Sequence, residues 1–187
     1  MRLLLKEETV PIPENCQVSI QNKIIKIKSP KYSRRLDLKH LNLTIEKREE
    51  HVAIKLWNGV RKERAKVTTC ASIIRNALNG CDKGFVYTLK AASVHFPIGV
   101  EIEDEGKTVV IKNFLGEQNI RKYRMTGQCF AKLGEEKNTI VLQGSSIEDV
   151  SQSAASLITN CRVKRFDTRK FLDGIYITKK GFASDDY

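Results

Sequence analysis

Several familiar motifs are missing from this chain, and each absence removes a class of function. The five cysteines, Cys16, Cys70, Cys81, Cys129 and Cys161, are odd in number and widely spaced, with no CxxC pair. That argues against a disulfide framework and against a structural zinc site, both of which need close, paired thiols. His40, His51 and His95 stand apart from one another, so no metal or other cofactor is expected. Phosphate-cradling GxxxxGK[ST] and GxGxxG loops are absent, as is the GxSxG elbow of a nucleophilic serine. Gly144-Ser145-Ser146 reads as a helix start, Glu135-Glu136 beside Gly134 and Asn138 as a solvated turn, and Asp185-Asp186 as a tail. No catalytic residue and no small-molecule substrate are therefore expected. No apolar run approaches the roughly 18 residues of a spanning helix. The opening MRLLLKEETVP lacks the ~7–15 apolar residues and cleavage site of a signal peptide. The expectation is an intracellular protein with no membrane partner.

Acidic residues are also in short supply relative to basic ones. Among 187 residues, 33 Lys+Arg face 22 Asp+Glu, a formal charge of +11. A net positive field attracts polyanions and speeds encounter with them. With 41% apolar residues the chain can still bury one core or two small ones.

Proline is sparse and no Ser/Gly-rich linker occurs, yet the chain repeats itself. Val18-Ser19-Ile20, a polar turn and Ile24 to Pro30 read as a β-hairpin. So do Val100-Glu101-Ile102, the turn from Asp104 to Lys107, and Val109 to Phe114. Further extended segments follow: Leu41–Ile45 and Val52–Leu56 in the first half, Gln128–Leu133 and Thr139–Leu142 in the second. Each half then carries an apolar stripe at helical spacing. The first is Val67, Cys70, Ala71, Ile74 and Leu78; the second is Ile147, Val150, Ala154, Leu157 and Cys161. Ser146, three residues before Asp149, predicts an N-cap. Gly80 and Gly84 predict the end of the first helix. Phe85–Leu89 and Gly174–Thr178 read as strands closing the two halves. The expected fold is α+β: two tandem duplicated domains, residues 1–92 and 93–187, each a small antiparallel sheet covered by one helix.

The basic residues gather in three places. Lys23, Lys26, Lys28, Lys31, Arg34, Arg35 and Lys39 stand against Asp37 alone. Arg61, Lys62, Arg64 and Lys66 surround Glu63. The densest group is Arg162, Lys164, Arg165, Arg169, Lys170, Lys179 and Lys180. Any one run of charges reads most simply as a solvated face. The last run differs, because Phe166, Phe171, Tyr176 and Phe182 are interleaved with it, together with Gly174 and Gly181. Cations neutralise phosphates and release counterions. Aromatic rings and guanidinium planes stack on unpaired bases, and glycine lets backbone N–H groups approach a phosphate. The pattern predicts binding of folded RNA by shape and backbone. Tyr176 alternates with Ile175 and Ile177, so its exposure is open.

At these residues the chain resembles a known family, the large-subunit ribosomal protein L-six, in its eukaryotic and archaeal form (L-nine in the eukaryotic naming). The stretches that carry the resemblance are VSI…KIIKIKSP, VHFPIGVEI (Val94–Ile102), KNFLGE (Lys112–Glu117), LQGSSIEDVSQSAASL (Leu142–Leu157) and RKFLDGIYITKKG (Arg169–Gly181). They run in register from Val10 to Gly181. The resemblance implies two α/β domains arising by duplication and a non-catalytic role on large-subunit rRNA near the sarcin–ricin loop. It also implies a place beside the translation-factor site and the stalk base, with neighbouring ribosomal proteins as partners. The protein would act in cytoplasmic ribosomes, after nucleolar assembly if the source is eukaryotic. It implies that the C-terminal domain carries most of the rRNA contact. Onto this sequence that maps to Arg162, Lys164, Arg165, Arg169, Lys170, Gly174, Tyr176, Lys179, Lys180 and Gly181, with Asn113 and Gly116 in the NFLG turn and Asp173 structural. One departure is visible. Where the family often has a GPxG turn, this chain has Ser29-Pro30-Lys31-Tyr32, so a turn requiring φ > 0 would have to be strained or rebuilt. A free RNA-binding factor of the same fold is the alternative reading, and an RNA-processing enzyme a third.

Overall fold

The computed structural model describes residues 4–164 and 166–183. It divides into two compact units, 1–83 and 84–187. In the first, β1 (Leu5–Pro11), β2 (Gln17–Gln21), β3 (Ile24–Lys28), β4 (Ser33–Asp37), β5 (Thr44–Lys47) and β6 (His51–Trp57) precede helix α1 (Arg61–Asp82). The second has β7 (Phe85–Ala92), β8 (Gly99–Glu103), β9 (Thr108–Lys112), β10 (Arg121–Arg124), β11 (Phe130–Leu133) and β12 (Thr139–Gly144). Helix α2 (Ile147–Asn160) and β13 (Gly174–Phe182) follow.

The α+β class and the duplication hold, but each unit deals its strands into two sheets where one was expected. The first unit has β2-β3-β4 and β1-β6-β5; the second has β8-β9-β10 and β11-β12-β7-β13. Every strand pairing in them is antiparallel.

The expected boundary at 92/93 moves to 83/84, because Phe85–Ala92 does not close the first unit. It opens the second, with Leu142 opposite Tyr87 on one side and Ile177 opposite Leu89 on the other. The burial of β7 explains its place. Phe85, Tyr87, Leu89 and Ala91 form one inward row of the second core, and a strand buried so thoroughly needs a partner on each edge. In the first unit β1 holds the equivalent position, with Val10 opposite Val52. The repeat therefore runs strand, three-stranded meander, hairpin, helix, and β13 is an addition to the second copy.

Both helices bury the stripe read from the sequence. On α1, Val67, Cys70, Ala71, Ile74 and Leu78 enter the first core with Ala77 and Cys81. This helix starts at Arg61, before its apolar stripe. Its first turn is held by the Glu63 carboxylate, which accepts the Val60 N–H at 3.1 Å, and by Arg64 Nε, which donates to the Gly59 carbonyl at 2.9 Å. Gly80 lies inside the helix and is buried; Gly84, at φ 74°, is the residue that turns the chain away. On α2 the Ser146 hydroxyl accepts from the Asp149 N–H at 3.3 Å, as the cap signal predicted. The Ser29–Tyr32 turn is rebuilt without strain: Ser29 N–H donates to Tyr32 O at 2.8 Å, and none of its residues has positive φ.

All five thiols are buried. Burial pushes the Cys16 and Cys70 thiols up to about 11 and also raises those of Cys81, Cys129 and Cys161. A rise of two units leaves about a hundredfold less thiolate at a given pH. In the native protein at mildly alkaline pH, Cys16 and Cys70 are expected to react with a disulfide reagent at least about a hundredfold more slowly than in denaturant. Fast labelling of the native chain at either cysteine would contradict this burial.

Candidate nucleic-acid interface

The second unit collects the RNA-binding residues expected from sequence into three neighbouring stretches: the segment after α2, the strand β13, and the turn between β9 and β10.

The β9–β10 turn is built on left-handed backbone. Asn113, Leu115 and Gly116 have φ of 58°, 54° and 76°. Asn113 tolerates that geometry and donates from Nδ2 to the Pro97 carbonyl at 3.0 Å. At Gly116 a Cβ would come within 3.1 Å of the Phe96 ring. Both residues thus shape the turn. Between them Phe114 is buried, and the Arg121 guanidinium lies 4.7 Å above its ring. Arg121 is fixed by two hydrogen bonds from one Nη to the Glu117 carboxylate, at 2.8 and 2.7 Å, and a third from Nε at 3.1 Å. It also donates to the Asn160 carbonyl at the end of α2. This ties the turn to the segment that follows the helix.

Between them lies an open hollow of about 410 Å³ lined by Phe114, Leu115, Glu117, Arg121, Arg162, Lys164 and Phe166. Its lining combines the apolar Phe114, Leu115 and Phe166 with the basic Arg121, Arg162 and Lys164, and Glu117 is its one acid. Phe166 is 56% exposed and packs its ring 4.9 Å from that of Phe171. Arg162 also borders a second hollow, of about 310 Å³, with Phe171, Asp173, Gly174 and Tyr176. Asp173 is 8% exposed, and its Oδ1 accepts the Val94 N–H at 2.6 Å. It anchors the loop before β8 to the start of β13, the structural part expected of it. At Gly174 a Cβ would sit 3.3 Å from the Cys161 carbonyl oxygen, a tight approach that a side chain could take only if its neighbour shifted.

Tyr176 is 49% exposed, with its hydroxyl donating to the Leu172 carbonyl at 3.0 Å. Ile175 beside it is buried, so the alternation is real and the ring is on the outer side. A bulge between Ile177 and Lys179 then shifts the register. Lys179 pairs with Thr88 and falls on the same face as Tyr176, while Lys180 pairs with Tyr87 on the other and lies 5.4 Å from its ring. Phe182 follows Lys180 onto that inner face and stacks 5.4 Å from Phe85. Gly181 has open space where a Cβ would stand.

Arg169 and Lys170 line neither hollow. They sit in an exposed turn organised by Asp167, which accepts the Arg169 N–H on Oδ1 at 2.9 Å and the Lys170 and Phe171 N–H groups on its carbonyl. Arg165 lies outside the described residues. Sequence reading passed over Leu115, Glu117 and Arg121. Nothing in their local spacing marks them, because they join the site only through the fold.

The electrostatics are lopsided. Glu101, Glu103 and Glu136 pair with Lys112, Lys122 and Lys90 on other elements of this unit, and Glu117, which lines the first hollow, is taken up by Arg121. Among the described residues no carboxylate pairs with Arg162, Lys164, Arg169 or Lys170. The described residues gather no group of three or more His, Cys, Asp or Glu that could hold a metal, and include no helix long and apolar enough to cross a membrane. Cations without a carboxylate partner among the described residues, beside hollows lined in part by aromatic rings, suit a phosphate backbone with unstacked bases beside it.

A duplicated α+β fold with such a face defines a candidate polyanion-binding protein. Its family is settled by comparison: the sequence model of the family described as Ribosomal protein L6 matches residues 12–84 and 96–174, one copy in each unit. The chain belongs to the ribosomal protein L6 family. It is 37% identical to the large ribosomal subunit protein uL6A of Saccharomyces cerevisiae and 36% identical to the uL6 protein of Tetrahymena thermophila, each match covering 100% of both chains. An archaeal relative, the uL6 protein of Staphylothermus marinus, is 38% identical over 91% of this chain and 92% of its own.

Proposed function

We propose that this chain is a structural constituent of the large ribosomal subunit, with no catalytic role, acting in cytoplasmic translation. Family membership over the full chain supports the assembly. The observation that carries the rRNA assignment is a set of cations with no carboxylate partner among the described residues: Arg162 and Lys164 at two aromatic-lined hollows of the second unit, and Arg169 and Lys170 in the exposed turn that follows in sequence. In this reading the second unit is the main rRNA-binding body. Arg162, Lys164, Arg165, Arg169, Lys170, Lys179 and Lys180 meet phosphates, Tyr176 offers a stacking face, Gly181 keeps the backbone open to the RNA, and Gly174 lets the start of β13 pack close to Cys161 and so shapes the second hollow. Asn113 and Gly116 hold the turn that walls the first hollow. The rRNA contacted lies near the sarcin–ricin loop and the stalk base, where the protein supports the translation-factor site beside neighbouring ribosomal proteins. In a eukaryote, assembly begins in the nucleolus.

Sedimentation of a cell lysate through a sucrose gradient in high salt tests this. The protein is expected to remain with large subunits and polysomes, at one copy per subunit. Release into the light fractions would make it a free RNA-binding factor instead.

A further inference from the structure

The meander β2-β3-β4 of the first unit has a counterpart in the second, β8-β9-β10, and their outer faces differ in one respect. In the second unit, Lys112 and Lys122 are held by Glu101 and Glu103 of β8 at 2.6 and 2.8 Å. In the first, the matching edge strand β2 carries Gln17, Ser19 and Gln21, and has no acid. Its register lines up Gln17 with Lys28 and Ser33, then Ser19 with Lys26 and Arg35. All six side chains are exposed.

Lys26 and Arg35 therefore stand directly opposite each other on neighbouring strands, which is destabilising for like charges unless something neutralises them. Nothing in the described chain does so: Lys26, Lys28 and Arg35 have no ion-pair partner there. Asp37, two residues beyond Arg35 on the same face of β4, forms no ion pair with Lys26 or Arg35; its carboxylate accepts the Lys39 N–H at 3.1 Å. Lys31 extends the patch from the exposed turn beside it. A shallow hollow of about 230 Å³ lies among Lys26, Lys28, Ser33, Arg34 and Arg35.

We propose that this outer sheet face is a second RNA-binding surface, one that holds a phosphate backbone through Lys26, Lys28 and Arg35. Protein interfaces are anchored by apolar and aromatic side chains at their centre. This face presents mainly amide, hydroxyl and cationic groups, with Asp37 its one acid and Ile24 partly buried at its end, which suits phosphates and sugars and gives no readout of sequence. It is independent of the second unit's site.

The test uses the full chain and a fluorescent RNA duplex of mixed sequence, with affinity followed across a salt series. K26Q/K28Q/R35Q is expected to lower the slope of log affinity against log salt by about three units, about one for each phosphate left unneutralised. The control K55Q/K112Q/K122Q removes the same net charge from lysines already paired with Glu46, Glu101 and Glu103, and its slope is expected to stay near that of the parent. Equal slopes for the two triple variants would overturn the proposal, since net charge alone would then account for the change. K26R/K28R/R35K is expected to keep the parental slope, and the single variant K28Q to lose about one unit. Combining the triple with neutral substitutions at Arg162, Lys164, Arg169 and Lys170 separates the two surfaces. Additive losses support both; a loss from the first-unit variant alone supports this surface and refutes the other, and the converse overturns this one. Loss of binding to polyglutamate with unchanged RNA binding would assign the face to an acidic protein and overturn the proposal.

Discussion

Gly106→Ala should lower the unfolding free energy by about 3 kcal/mol or more, combining backbone strain with overpacking. The β8–β9 turn runs through three left-handed residues, Asp104, Glu105 and Gly106, at φ of 53°, 53° and 93°. Its first residue is anchored, since the Thr108 hydroxyl donates to Asp104 Oδ2 at 2.8 Å and Lys107 N–H to the Asp104 carbonyl at 3.1 Å. The turn cannot simply swing away. A Cβ at Gly106 would stand 2.7 Å from the Ala131 carbonyl oxygen, which belongs to β11. Ala131 is buried and opposite Leu142 in the ladder with β12. Relieving the clash therefore means moving one sheet of the second unit against the other. Urea unfolding should show a lower midpoint with an unchanged slope. Gly181→Ala is the contrast: its Cβ would meet nothing within 4 Å and its φ is not positive, so stability should change by no more than about 0.5 kcal/mol.

The difference between those two glycines was not legible in the sequence, and the reason applies more widely. Features set by near neighbours were readable. The apolar stripe of α2 and its Ser146 cap needed only a few consecutive residues, and both helices bury the face expected. Features set by distant partners were not. Leu5–Pro11, Ser33–Asp37 and Arg121–Arg124 are strands made largely of polar and charged residues at sheet edges, where one side of each is free to carry charge. No alternation marks them. Phe85–Ala92 was readable as a strand, but its owner was not, because its place depends on β12 and β13 further along the chain. At the site, the cations and aromatics were visible as composition. The hollow bordered by Arg162 and Lys164 forms between segments distant in sequence, the β9–β10 turn and the end of α2, which Arg121 links. The bulge that puts Lys179 on the face of Tyr176, and Lys180 and Phe182 on the other, likewise breaks a period that sequence alone would continue.

Replacing Arg162, Lys164, Arg169 and Lys170 together by glutamine should reduce RNA affinity by several orders of magnitude at physiological salt and lower the salt slope by about four units. All four side chains are exposed, and none is engaged with a carboxylate among the described residues. The fold should consequently lose little, with the melting temperature nearly unchanged. Tyr176→Leu is expected to behave differently. Removing a stacked ring costs about 1–3 kcal/mol per base, so affinity should fall while the salt slope stays the same, since no counterion is released by a ring. If Tyr176 instead served only to seal the second hollow, the variant would lose stability and keep its affinity for RNA. The two measurements together distinguish a phosphate clamp from a stacking platform. An unchanged affinity in the fourfold glutamine variant would remove the second unit's basic face from the binding surface, whatever the ring does.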